Sequence, residues 1–176
     1  MNLILIGYRA TGKTTLARLL AERLEWSWVD LDDEIERAAG KPIAKIFQED
    51  GEPAFRDLES QTVRDWCGRD AVVIATGGGA PLREENRRAM RASGKVVWLT
   101  ASPRTIHARM QGDATTAARR PALTASGGLE EIIRLLAQRE PIYRQTADIV
   151  IDTEGRSPEQ LLEEILGRIA IGEERT

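Results

Sequence analysis

Short apolar runs alternate along the chain with longer stretches whose apolar residues recur every three or four positions. The short runs are Leu3–Ile6, Trp28–Asp30, Ala71–Ala75, Val96–Leu99 and Ile149–Ile151. Each is brief and apolar on both faces, as a parallel strand buried between helices should be. The longer stretches carry helix start signals. Ser102-Pro103 and Ser157-Pro158 each put a capping serine before a first-turn proline, and Ser157 with Gln160 makes a capping box. In the last segment Leu161, Leu162, Ile165, Leu166 and Ile169 form one apolar stripe at helical spacing. This βαβα order predicts an α/β fold, a parallel sheet with helices on both faces.

Two stretches break the alternation. Residues 31–68 show no strand pattern, only helical segments such as Ile43–Gln48 and Ala54–Trp66, and this insertion is the natural place for a second substrate. From Gln111 to Gly128 the apolar periodicity collapses, and a loop of that length inside one domain is usually functional, often a lid. Gly112 and the pair Gly127-Gly128 are its candidate hinges.

Composition narrows the class. A chain of 176 residues is expected to form one domain, 1–176, with enough apolar residues for a real core. A net charge of −3 gives no electrostatic footprint for nucleic acid or an anionic membrane. No apolar run is long enough to span a bilayer, and the N-terminus lacks the pattern of an export signal. Cys67 is the single cysteine, no Cys/His cluster has metal-ligand spacing, and His107 falls on a helix with no partner in the pattern. The expectation is a cytoplasmic monomer.

Gly7-Tyr8-Arg9-Ala10-Thr11-Gly12-Lys13-Thr14 satisfies G-x-x-x-x-G-K-[ST] in full, between a strand and a helix. Such a loop, 7–14, turns successive backbone N–H groups onto phosphate oxygens, and the helix N-terminus adds partial positive charge. Lys13 would reach the β- and γ-phosphates of ATP, and the Thr14 hydroxyl would bind Mg²⁺. Lysine occurs only four times, against 21 arginines, so background usage does not explain one at this position. Gly7, Ala10, Thr11, Gly12, Lys13, Thr14 and Thr15 are the candidate ATP contacts. No N-K-x-D motif for guanine is present, which favours a small-molecule kinase over a GTPase. Asp152, closing the final apolar run, is a weaker metal candidate because that strand should lie at the sheet edge.

Asp30-Leu31-Asp32 closes the second strand, and open α/β sheets bind ligands at the carboxyl ends of their strands. Asp30 could hold hydrated Mg²⁺ while Asp32 accepts a hydrogen bond from an acceptor hydroxyl. Gly77-Gly78-Gly79 follows the third strand, where such conformational freedom is best explained by close approach to a ligand.

The phosphate loop, Val29-Asp30-Leu31-Asp32, Phe55-Arg56, Gly77-Gly78-Gly79, Arg120-Pro121 and Arg139-Glu140-Pro141-Ile142-Tyr143-Arg144 occur in the order and spacing of shikimate kinases. The chain resembles that family from about Leu3 to Gly167. The resemblance implies a three-layer α/β/α P-loop fold with a five-stranded parallel sheet in the order 2-3-1-4-5 and a mobile lid at about 111–128. It implies γ-phosphoryl transfer from ATP, with Mg²⁺, to the 3-hydroxyl of shikimate. Asp32, Arg56, Gly77, Gly78, Gly79 and Arg139 would hold shikimate, with the two arginines on its carboxylate. Arg120 would be the lid arginine at the phosphates, and Arg156 with Pro158 would sandwich adenine. Asp32 would remove the hydroxyl proton or only orient the group.

Three departures stand out. Ala10 replaces a third loop glycine, tolerable if its φ is negative. The lid is rich in alanine and threonine, with Ala122 after Arg120-Pro121 where a leucine is usual. Arg119 beside Arg120 leaves open which one meets the phosphates. A gluconate or nucleoside monophosphate kinase would keep the loop but lack the Asp32, Arg56, triple-glycine and Arg139 set. A non-catalytic ATP sensor would differ only in turnover.

Overall fold

The structure, a computed structural model, describes residues 1–112 and 128–173, the last three of these as backbone only. Its strands are β1 (Asn2–Ile6), β2 (Ser27–Asp30), β3 (Val72–Ala75), β4 (Gly94–Thr100) and β5 (Ile149–Asp152). All pair in parallel in one sheet of order β2-β3-β1-β4-β5. The described helices are α1 (Lys13–Leu24), α2 (Leu31–Ala39), α3 (Ile43–Glu49), α4 (Gly51–Cys67), α5 (Glu84–Ser93), α6 (Pro103–Gly112), α7 (Leu129–Thr146) and α8 (Pro158–Glu173). A 3₁₀ turn spans Ala80–Leu82.

Alternation along each strand feeds two cores. Leu3, Leu5, Val73, Ala75, Val97 and Leu99 face one side, where Leu16 and Leu20 of α1 meet Leu161 and Ile165 of α8. Ile4, Ile6, Val72, Ile74, Val96 and Trp98 face the other, against Val63 of α4, Met90 of α5 and Tyr143 of α7. Burial on both faces is why these strands read as unbroken apolar runs. The exception is β2, whose Ser27 and Trp28 are exposed because it is the sheet edge. The expected start of β3 at Ala71 moves to Val72, since Ala71 has φ 55, outside the strand region.

The capping signals fold as written. Thr105 N–H donates to Ser102 Oγ at 3.2 Å. Gln160 N–H donates to Ser157 Oγ at 3.3 Å while Ser157 N–H donates to Gln160 Oε1 at 2.9 Å, completing the box. The insertion forms α2, α3 and α4 around a small core of Ile35, Ile43, Ile46 and Phe55. Helix α6 runs through Gln111 and Gly112, so these two residues of the expected loop are helical. The rest of that expected lid, with Arg119 and Arg120, lies outside the described residues. No described helix is long and apolar enough to cross a membrane.

Candidate active site

The sheet order brings the loop after β1 beside the loop after β3. Thr76 ties them, its N–H and hydroxyl each donating to Leu5 O at 3.1 Å. Within the phosphate loop, Thr11 Oγ1 donates to Tyr8 O at 2.8 Å, and Lys13 Nζ donates to Gly7 O at 3.0 Å and to Tyr8 O at 2.7 Å. The Lys13 ammonium is thus buried and folded over the loop whose amides are expected to hold phosphate. Gly7, with φ 142, passes so close to β4 that a Cβ there would sit 2.4 Å from Leu99 O. Ala10 corrects the expectation of a negative φ, since its φ is 60. The loop's curvature requires a left-handed residue here, and an L-side chain in that region costs roughly 1–2 kcal/mol.

Asp30 is anchored twice. Thr14 Oγ1 donates to its Oδ2 at 2.6 Å, and Asp32 N–H donates to its Oδ1 at 3.0 Å, making Asp30 the N-cap of α2. A hydroxyl and a carboxylate in contact at the mouth of a phosphate loop are hard oxygen donors. They suit a Mg²⁺ that keeps most of its ligands from water and phosphate. Asp32 sits half-buried in the first turn of α2, two residues beyond this pair. Asp152, the weaker metal candidate, is exposed on the edge strand and accepts from Glu154 N–H at 2.9 Å, an ordinary turn contact.

The triple-glycine turn lies between two arginines. A side chain at Gly78 would begin 3.3 Å from Gly7 O, 3.5 Å from Arg139 Nη1 and 3.6 Å from Arg9 N. At Gly79 a Cβ would sit 2.4 Å from Arg56 Nη1, so any larger residue would displace this guanidinium. Arg56 is fixed in place by Glu59, one turn along α4 and almost wholly buried, through a 2.6 Å bond from Nη1. Arg139, from α7, lies with its guanidinium carbon 5.5 Å from the Tyr8 ring centroid. Two guanidinium forks and a glycine backbone, with Asp32 at the start of α2, suit a small acceptor carrying a carboxylate and hydroxyls.

On the opposite flank, Arg156 lies against α8, paired with Glu164 and donating to Asp152 O and Gln160 O at 3.3 Å each. The arginine that reaches the phosphate loop from this side is Arg109 of α6. It donates to Ala10 O at 3.4 Å, to Thr153 Oγ1 at 3.0 Å and to Thr153 O at 3.0 Å. Glu154 joins the same rim to the start of α6. The Ser102 N–H and then the Thr105 hydroxyl hold its carboxyl below the usual carboxylate range. Sequence reasoning passed over Arg109, Glu59 and Tyr8. Of these only Glu59 left a signal, three residues after Arg56 on a helix, where side chains meet.

Comparison with known proteins identifies the family. The family model described as shikimate kinase matches residues 9–170. The chain is 48% identical over 165 residues to the shikimate kinase of Rhodopirellula baltica, covering 94% of this chain and 88% of that protein. It is 46% identical to the shikimate kinase of Pseudomonas syringae pv. syringae, with 96% of each covered. The structure of the Acinetobacter baumannii shikimate kinase in complex with shikimate superposes with a TM-score of 0.91 at 34% identity, covering 97% of this chain and 93% of that one. The family model and these relatives each span nearly the whole chain: this chain belongs to the shikimate kinase family.

Proposed function

We propose that the chain transfers the γ-phosphoryl group of ATP to the 3-hydroxyl of shikimate, a step in making aromatic amino acids. The observation that carries this reading is the convergence of Arg56 and Arg139 on Gly78 and Gly79, directly beside the phosphate loop. Arg56 and Arg139 bind the acceptor carboxylate, and Asp32 receives the hydroxyl that is phosphorylated. The amides of Gly7 to Thr15 and Lys13 hold the phosphates, so that acceptor oxygen and γ-phosphorus meet in line. Thr14 and Asp30 hold the Mg²⁺, which supplies charge neutralisation on the phosphates. Arg109 and the loop carrying Arg156 flank the base. Arg120 keeps the role the resemblance gives it, a cation on the transferring phosphoryl group.

We further propose that the chain acts as a monomer, and that the reaction belongs in the cytoplasm, where ATP is supplied. The test is a coupled assay of ADP release with shikimate, gluconate and nucleoside monophosphates offered separately. Turnover is expected with shikimate alone. Preference for gluconate or a nucleotide would overturn the acceptor assignment, and no turnover with any would favour a sensor.

A further inference from the structure

Tyr143 is wholly buried in α7, one turn beyond Arg139, yet it carries a polar group into the core. Its ring packs against Trp98 of β4, with centroids 5.8 Å apart. Its hydroxyl donates to Gly78 O at 2.5 Å, across 65 residues of sequence. This anchors a turn that has few other means of holding its shape, since three glycines bring no side chains to pack. The neighbouring peptides are fixed separately, by Ala80 N–H donating to Gly77 O at 3.1 Å and Leu82 N–H donating to Gly79 O at 3.0 Å.

A trans peptide is planar, with its C=O and N–H pointing in opposite directions. Drawing Gly78 O into the core toward Tyr143 therefore turns the Gly79 N–H out of the core. Gly79 is the residue on which the Arg56 guanidinium rests, and Arg139 flanks Gly78. The outward amide belongs to the same stretch of loop that the two arginines line.

We propose that Tyr143 is a positioning residue for the acceptor, its hydroxyl setting the Gly78–Gly79 peptide so that Gly79 N–H donates to an acceptor hydroxyl oxygen. This rests on the acceptor site proposed above. Arg139 and Tyr143 then serve one purpose from one helix: the first grips the carboxylate, and the second aims a donor at the hydroxyl end. Without the tyrosine hydroxyl the peptide is free to rotate, and the donor is no longer held in place before the acceptor arrives.

The experiment is steady-state kinetics of Tyr143→Phe beside Arg139→Ala, with thermal midpoints for both. Losing one pre-set hydrogen bond should raise KM for shikimate roughly 3- to 15-fold. The KM for ATP should stay within about twofold, and kcat should fall far less than the shikimate KM rises. A lowered midpoint alone, with an unchanged shikimate KM, would mean a purely structural tyrosine and would overturn the inference. If Arg139→Ala also leaves the shikimate KM unchanged, the acceptor site itself is wrong, which is a different failure. Should Tyr143→Phe not fold, the Gly79 amide resonance of the unaltered protein decides. It must shift when shikimate is added and not with ADP alone, and no shift refutes the proposal.

Discussion

Each residue at the acceptor end holds a position through a different force, so their substitutions should separate. Asp30 is bound to Thr14 and to the first turn of α2, whereas Asp32 is the residue proposed to receive the acceptor hydroxyl. Asp32→Asn should lower kcat by about a hundredfold or more, the range for a positioned acid–base group. Asp30→Asn should instead raise the Mg²⁺ concentration needed for half-maximal rate, because asparagine still caps the helix. Equal metal dependence in the two variants would erase the division of roles. Arg56 and Arg139 differ in what they leave behind. Arg139→Ala should weaken shikimate binding by about 2–5 kcal/mol with ATP affinity preserved. Arg56→Ala should do the same and also lower the thermal midpoint, because it strips the buried Glu59 of its 2.6 Å partner. Calorimetric titration paired with a melting curve distinguishes these, and an undisturbed midpoint in Arg56→Ala would show that Glu59 is readily solvated. Ala10 makes the reverse case: it occupies a left-handed position, φ 60, that glycine enters freely. Ala10→Gly should be neutral or stabilising by about 1 kcal/mol, strain relief exceeding the unfolded-state entropy of glycine. A lowered midpoint would mean the loop gains more from a restrained unfolded chain.

At the scale of elements, local signals were legible and long-range ones were not. Ser157 and Gln160 announce the start of α8 from their own spacing, and both bonds of the box form. Ser157→Ala should therefore cost about 1 kcal/mol. For a domain of this size that is a fall of roughly 2–4 °C in the midpoint. Since α8 packs behind the sheet, the shikimate KM should not change; a change would tie this helix to the site. The strands could be read because burial on both faces suppresses alternation, but the start of β3 was set by the backbone of Ala71, which no side-chain pattern encodes. The phosphate loop, Asp30, Asp32 and the glycine turn were visible because their chemistry is concentrated in short motifs. Arg109 was hidden for the opposite reason. It meets Ala10 across 99 residues and Thr153 across 44, and its role depends on the phase of α6 against two distant loops. Among 21 arginines nothing local distinguishes it. Arg156 attracted notice beside Pro158, yet its guanidinium is drawn to Glu164 on the next helix.

The molecule as a whole should be most stable on a plateau whose two edges have different causes. On the acid side, Arg156 holds Glu164, the Ser102 N–H holds Glu154, Lys41 holds Glu49 and Arg37 holds Glu34 below the ordinary carboxylate value of 4.5. A depressed folded pKa contributes stability above the unfolded value and loses it as pH falls through the folded one. The urea midpoint should accordingly begin to drop below about pH 4.5. The drop should be shallow and weakened by salt, because these pairs face solvent. On the alkaline side, burial raises the Cys67 thiol above its ordinary 9.0, with Ser93 opposing it. Here the sign reverses: a raised folded pKa means full stability below 9.0, lost as the unfolded thiol ionises and the folded one does not. Lys41 is raised by Asp50 and Glu49 above its ordinary 10.5, so its contribution persists until the solution is more alkaline still. Of these two, Cys67 is therefore the first to contribute to the decline as pH rises past 9.0. Urea midpoints for the unaltered chain and Cys67→Ser between pH 9.0 and 10.5 check this. The serine variant should hold its midpoint where the original declines, and parallel curves would mean that another group sets the alkaline edge.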